Sequence, residues 1–300
     1  MLGAVACFAT MAAFVKQGRA VGMSTTETMV YRMAPGLLWI AVELRRTRAP
    51  WRPRRKTATR LRTLFGVLAM AGSFYAVSGL TLLQHTILHL LQPVFVSILA
   101  PLLLRERLRG AALAALALAL AGALVAIRPD RAVGEMATMS WRFGLVGLAA
   151  AVASALAHIT VRLATGRLGG RSSFGWLRYA DEGPPDPPET VVLHFTLWGS
   201  ALALAAGVAT GDFRGLPPTV ATTEAIGLIA GMAGFGVLGQ LLMSRAYAKT
   251  HAPLVAVVAY AAIPISIGLD ALLWGTPVSV SGAIGTVLMV VAGALLARAR

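Results

Sequence analysis

The chain has 300 residues, of which 57% are hydrophobic and 13% charged, with a mean hydropathy of +0.73 and a formal charge of +15. Soluble domains carry about 25% charged residues, so a soluble globular protein is excluded and a polytopic membrane protein is indicated. The sequence pI of about 11.5 would suggest a nucleic-acid partner in a soluble chain, but here the charges have to be read by position.

A span of roughly 20 apolar residues crosses about 30 Å of hydrocarbon. On that measure the sequence predicts about ten transmembrane helices, near 1–16, 24–44, 64–83, 86–104, 110–127, 143–164, 190–210, 224–244, 252–274 and 278–297. The first opens as "LGAVACFATMAAFV". It lacks the basic n-region of a secretory signal peptide, so it reads as a span. The second carries Arg32, and the third and fourth are divided only by "LQHT".

The fourth, "HLLQPVFVSILAPLLLRER" over 89–107, holds His89, Gln92 and two prolines before an abrupt charged end. A mid-helix proline costs roughly 3 kcal/mol in a soluble helix. In a membrane span, neighbouring helices and polar side chains can re-satisfy the freed carbonyls. The stretch therefore reads as a kinked span whose end is pinned by Arg105, Glu106 and Arg107, with Glu106 pairing an arginine rather than doing chemistry. After the sixth span, "GGRSSFGWLRYADEGPPDPPE" reads as a flexible cytoplasmic linker over 165–189.

Arginines set the orientation. With the N-terminus inside, the inner segments hold 20 basic residues, nine of them over 45–62, and the outer segments hold six, with Arg32 left inside a span. By the positive-inside rule both termini are expected to be cytoplasmic. The 45–62 stretch reads as a topology signal touching anionic lipid rather than as a nucleic-acid site. The single Cys7 excludes an internal disulfide.

"PVFVSILAPLLL" to "LALAGALVAIR" (93–128) echoes "PISIGLDALLW" to "VVAGALLARAR" (264–300), with Pro93 matching Pro264 and both "AGAL" segments sharing the same offset. Span 1 ending in Lys16 likewise echoes span 6 ending in Arg162. Five helices per half forces an inverted repeat, which puts a substrate site near the midplane at Pro- or Gly-interrupted helices in corresponding positions.

"GAVACFATMAAFVK", "ETMVYRMAPGLL", "FYAVSGLTLLQHTILHLLQPVFVSILAPLLLRERL" and "GQLLMSRAYAKTHAPLVAVVAYAAIPISIGLDALLWG" together cover most of the chain. In these segments the sequence resembles the EamA-type permeases of the drug/metabolite transporter superfamily, its first half being close to the S-adenosylmethionine-uptake-like branch. The resemblance implies an all-α membrane fold of ten helices in two inverted five-helix repeats, residues 1–129 and 130–300. It also implies a bacterial inner (plasma) membrane location and transport without ATP hydrolysis; no cofactor is expected. Two features depart from the pattern: the acidic position after "LLWG" is Thr276, and the loop between spans 6 and 7 is long.

Charged groups inside a span cost roughly 2.5–3.5 kcal/mol on insertion scales and mark function. Arg32 could bind a carboxylate or phosphate, or act as a packing charge near the outer face. Asp270 could couple a proton or bind an amine, or be a solvated helix end. Tyr75, His89, Gln92, Gln240 and Tyr260 could hydrogen-bond a polar substrate, or bond helix to helix. Pro93 and Pro264 would each free a carbonyl and serve as hinges. "GFGVLG" at 234–239 matches GxGxxG but follows no strand, so close helix packing is expected there. His85 and His89 lack a third metal ligand nearby, and His158 and His194 read as bundle histidines.

The expected function is secondary transport, by alternating access, of a small polar metabolite such as an amino acid, an amine or an S-adenosylmethionine-like cofactor, by a monomer or homodimer. A lipid-modifying enzyme or a flippase-like partner subunit are the alternatives.

Overall fold

Charge placement decides where these helices begin and how deep they sit. A computed structural model describes residues 1–77, 79–80, 82–106, 110–127, 134, 136–166, 183–215, 222–275 and 277–298. Arg107, Thr276 and most of the 165–189 linker lie outside these. Among the described residues the chain is all α with no strand, and when helices that continue across a break are joined it forms ten helical units.

The helices are α1 (Leu2–Ala20), α2 (Thr25–Met33), α3 (Gly36–Thr47), α4 (Lys56–Val77), α5 (Leu82–His89), α6 (Gln92–Leu104) and α7 (Gly110–Ile127), followed by α8 (Trp141–Thr165), α9 (Pro188–Thr210) and α10 (Thr222–Lys249). The chain closes with α11 (Ala252–Val258), a 3-10 turn (Ala259–Ala261), α12 (Ala262–Trp274) and α13 (Val280–Arg298).

Among the described residues, six stretches are long and apolar enough to cross a membrane: 84–104, 110–127, 141–165, 188–210, 222–249 and 252–274; Val280–Leu296 is a shorter apolar helix. The first three units fall outside this set. They carry Lys16 and Arg19, Glu27 and Arg32, and Arg60 and Arg62 within their helices. Large apolar side chains such as Leu38, Val42, Leu102, Leu272 and Val287 are exposed, as suits a lipid-facing surface.

Three boundaries differ from expectation. α4 starts at Lys56, well before the expected 64, and takes Arg60 and Arg62 into the helix. "LQHT" is no separator: Gln84, His85 and Thr86 lie inside α5, and Gln84 is buried. The described end of the linker is anchored, because buried Asp186 accepts hydrogen bonds from the Arg54 and Arg55 amides and the Thr59 hydroxyl.

Local chemistry explains the short elements. α2 opens on a capping box in which the Ser24 hydroxyl accepts from the Glu27 amide and the Glu27 carboxylate from the Ser24 amide. Asp212 adds to this start by accepting from the Thr26 amide and hydroxyl, the latter at 2.8 Å. These bonds hold its carboxyl below the usual range, the Thr26 hydroxyl contributing most.

Small residues set the closest helix contacts. On α10, the "GFGVLG" glycines face other helices: a Cβ on Gly239 would meet Phe8 at 2.8 Å, and one on Gly234 would meet Trp39 at 3.4 Å. This is the packing role expected of them. α7 and α13 meet backbone to backbone, since a Cβ on Gly122 would lie 2.8 Å from the Gly285 carbonyl oxygen.

The helices of both halves are interrupted just ahead of Pro93 and Pro264, rather than at a carbonyl freed inside a continuous helix. α5 ends at His89 and α6 begins at Gln92, so Pro93 sits in a first turn, where its missing N–H has no intrahelical partner to lose. In the second half, the 3-10 turn interrupts the helix before Pro264. The two breaks touch: buried Tyr260, in the 3-10 turn, donates from its hydroxyl to the Leu90 carbonyl at 2.7 Å.

Candidate functional site

One stripe of α10 organises the polar interior. Gly236, Gln240, Met243 and Tyr247 are spaced i, i+4, i+7 and i+11, a single face of a 3.6-residue helix. At Gly236 the absent side chain lets Arg32 of α2 lie alongside: a Cβ there would be 3.5 Å from Arg32 Cγ and 3.3 Å from Met11 Sδ. One turn further, Gln240 Oε1 accepts a hydrogen bond from Arg62 Nη2 at 3.2 Å. Met243 Sδ is 3.2 Å from His158 Nε2, and the Tyr247 ring lies 5.4 Å from the His158 ring.

Arg62 corrects the sequence reading most. It belongs to the basic 45–62 stretch assigned to the lipid surface, yet it is only 5% exposed. Its guanidinium lies 4.1 Å from the Phe195 ring centroid, a cation–π contact, in space that Gly66 leaves open. Its partner Gln240 sits one helical turn from Gly236, where Arg32 lies, so the two arginines lie against adjacent turns of the same stripe. Thr59, Arg62 and Gly66, at i, i+3 and i+7, are all buried. That small-residue face was a signal in the sequence that Arg62 points inward.

His158 of α8 is the second residue sequence reasoning passed over. Its Nδ1 lies 2.9 Å from Gln92 Nε2 and 2.8 Å from the Ser154 carbonyl. With a proton on Nδ1 the ring donates to Ser154; without one it accepts from Gln92. The tautomer therefore selects the partner. His89 is exposed although Leu88 and Leu90 are buried, and it interacts electrostatically with both His158 and His85. The His85 and His89 rings stand edge to face at 5.8 Å.

Of the expected site residues, the structure thus gathers Arg32, His89, Gln92 and Gln240. Tyr260 borders them, with its hydroxyl committed to Leu90. Two are held apart. Tyr75 is 59% exposed and packs on Phe143, and Asp270 lies at the far end of the bundle on Lys16.

Each end of the bundle carries an ion pair. At the end bearing most arginines, Glu106 Oε1 accepts from Arg162 Nε at 2.8 Å, with both side chains 7% exposed. Arg162 also donates to the Tyr247 and Ala248 carbonyls, and Glu106 Oε2 accepts from the Ala252 amide. This network joins the ends of α6, α8, α10 and α11. A cavity of about 600 Å³ lies beside it, with Arg54, Arg162 and Lys249 in its lining. At the opposite end, Lys16 meets Asp270 at 2.9 Å and covers the Trp274 ring, with the two side chains 57% and 44% exposed.

Residues 1–128 match the EamA-like transporter family. The chain thus carries an EamA-like transporter domain in its first part, residues 1–128. The pseudopaline exporter CntI of Pseudomonas aeruginosa is 26% identical to it, over 98% of this chain and 93% of that one. An uncharacterized transporter of Helicobacter pylori is also 26% identical, over 97% of this chain and 91% of the other. A solved crystal structure shares the fold, with a TM-score of 0.70 and 21% identity over 98% of this chain and 95% of that chain.

Proposed function

We propose that this protein is an EamA-type secondary transporter of the inner membrane, moving a small polar metabolite through the central cluster by alternating access between two inverted five-helix halves, 1–129 and 130–300. The observation that carries this reading is the pattern of helix pairing. With the ten units numbered in chain order, 1 packs on 8, 3 on 6, 5 on 10, 2 on 7 and 4 on 9. Adding five to each member turns 1–8 into 6–3 and leaves the other pairs unchanged. Such invariance is what a two-fold relation between the halves requires, and five spans per half would invert them.

In this reading Arg32, His89, Gln92 and Gln240, joined by Arg62 and His158, bind the substrate. The touching breaks before Pro93 and Pro264 act as hinges, and the two ion pairs act as gates. The arginine-rich end faces the cytoplasm with both termini, and the exposed arginines of 45–62, such as Arg46 and Arg52, are available to anionic lipid. The name of the Pseudomonas relative favours export as the direction.

Counterflow in proteoliposomes tests the proposal, with amino acids, amines and S-adenosylmethionine as candidate substrates. Saturable counterflow of at least one compound, lost in Arg32→Ala or Gln240→Ala, is the expected result. Folded protein with no flux for any compound would overturn it.

A further inference from the structure

The central cluster contains two arginines and, among the described residues, no carboxylate to balance them. The described acids all lie elsewhere, and all but Glu224 are committed to other partners. Glu43 and Glu189 hold Arg245, Glu106 holds Arg162, and Asp270 holds Lys16. Glu27, Asp186 and Asp212 accept backbone or hydroxyl hydrogen bonds at helix starts, and Glu224 is exposed in the first turn of α10. Arg32 makes no side-chain hydrogen bond or ion pair among the described residues. Arg62 has one neutral acceptor, Gln240, and one aromatic face, Phe195.

An uncompensated charge away from water is costly, and two that repel each other cost more. The other polar neighbours, His89, His158, Gln92 and Tyr247, bring no negative charge either. A guanidinium has five N–H donors in a planar fork matched to carboxylate or phosphate oxygens, and most of those on Arg32 and Arg62 are unspent. The cavity beside the buried end pair is also lined by cations, Arg54 and Lys249 together with Arg162, which would concentrate anions at that mouth.

We propose that Arg32 and Arg62 form an anion subsite and that the transported substrate carries a carboxylate or phosphate which supplies the missing countercharge between α2 and α4. Gln240 orients Arg62 toward it, and release of the anion restores the repulsion between the two arginines. This rests on the transport reading above and narrows its substrates to acids and zwitterions, setting simple amines aside.

The test uses the purified full-length protein and two separate readouts. Thermal unfolding is followed with succinate, glutamate or inorganic phosphate against putrescine or choline, all at matched ionic strength. The anions should raise the unfolding midpoint and the cations should not. Losing a charge-assisted hydrogen bond should weaken the apparent anion affinity of Arg62→Gln and Arg32→Gln roughly 10- to 100-fold. Arg62→Lys, which keeps the charge should the glutamine variant fail to fold, should bind more weakly than wild type but still prefer anions, and exposed Arg60→Gln should match wild type. Succinate against phosphate decides which oxyanion geometry fits. Stabilisation by the cations, no response to any anion, or undiminished anion affinity in both glutamine variants overturns the subsite. Counterflow reads the transport proposal independently: flux confined to amines sinks the subsite while leaving transport intact.

Discussion

The two ends of the bundle are closed by the same kind of bond in opposite surroundings. At one end Glu106 and Arg162 lie within 2.8 Å of each other, both buried, with Arg162 Nη1 donating to the Tyr247 and Ala248 carbonyls and Glu106 Oε2 accepting from the Ala252 amide. At the other, Lys16 and Asp270 are equally close but wet. Desolvated ions hold only when their geometry is complete, so the first pair is rigid and intolerant of losing a partner. Solvated ions cost little to separate. The difference describes a molecule sealed at its arginine-rich end and loosely latched at the other.

Breaking the buried pair is the harshest test of that contrast. Glu106→Ala strands Arg162 and uncovers the Ala252 amide, and should cost about 3–5 kcal/mol of stability; the double variant Glu106→Ala/Arg162→Met should recover much of it in a double-mutant cycle. Next comes the contact between the helix breaks. Tyr260→Phe leaves the Leu90 carbonyl without its donor and should cost about 1–3 kcal/mol, read as a lower unfolding midpoint. Asp270→Asn should cost no more than about 1 kcal/mol, and raising the salt concentration should erase that difference while leaving the Glu106 effect in place.

The smallest effect belongs to Asp212. Because its folded carboxyl is held below its ordinary value, chiefly by the Thr26 hydroxyl, its contribution is fully present above the unfolded carboxylate pKa and disappears as pH falls through the depressed folded value. Asp212→Asn should therefore lower the unfolding midpoint slightly near neutrality and remove the small acid-side loss, so that variant and wild type converge as pH falls through the depressed folded value.

Much of the molecule was legible in one dimension. Apolar segments located the helices, and the cost of polar groups within a span marked Arg32, Gln92 and Gln240, which lie along one stripe of the interior through Gly236, Arg62 and His158. Glu106 was expected to pair with an arginine and does so with Arg162. Hydropathy misjudged α4 because a charge at a span boundary has two options: it can reach out to water or turn inward along the helix, and an average over a window treats both alike. Only the neighbours distinguish them. Arg62 turns inward because Phe195, Gln240 and the space at Gly66 await it. Tyr75 went the other way for the same reason, finding its partner in Phe143 on an exposed face.

Taken alone, the sequence determined an all-helical membrane protein and broken helices near Pro93 and Pro264, because apolar run length and the proline ring act on a segment without reference to the rest of the chain. The tertiary structure decided which polar groups share an interior, which acids are already committed, and which ion pair is dry. Those depend on contacts between residues more than a hundred positions apart, such as Arg62 with Gln240 and Tyr260 with Leu90, and no local pattern encodes them.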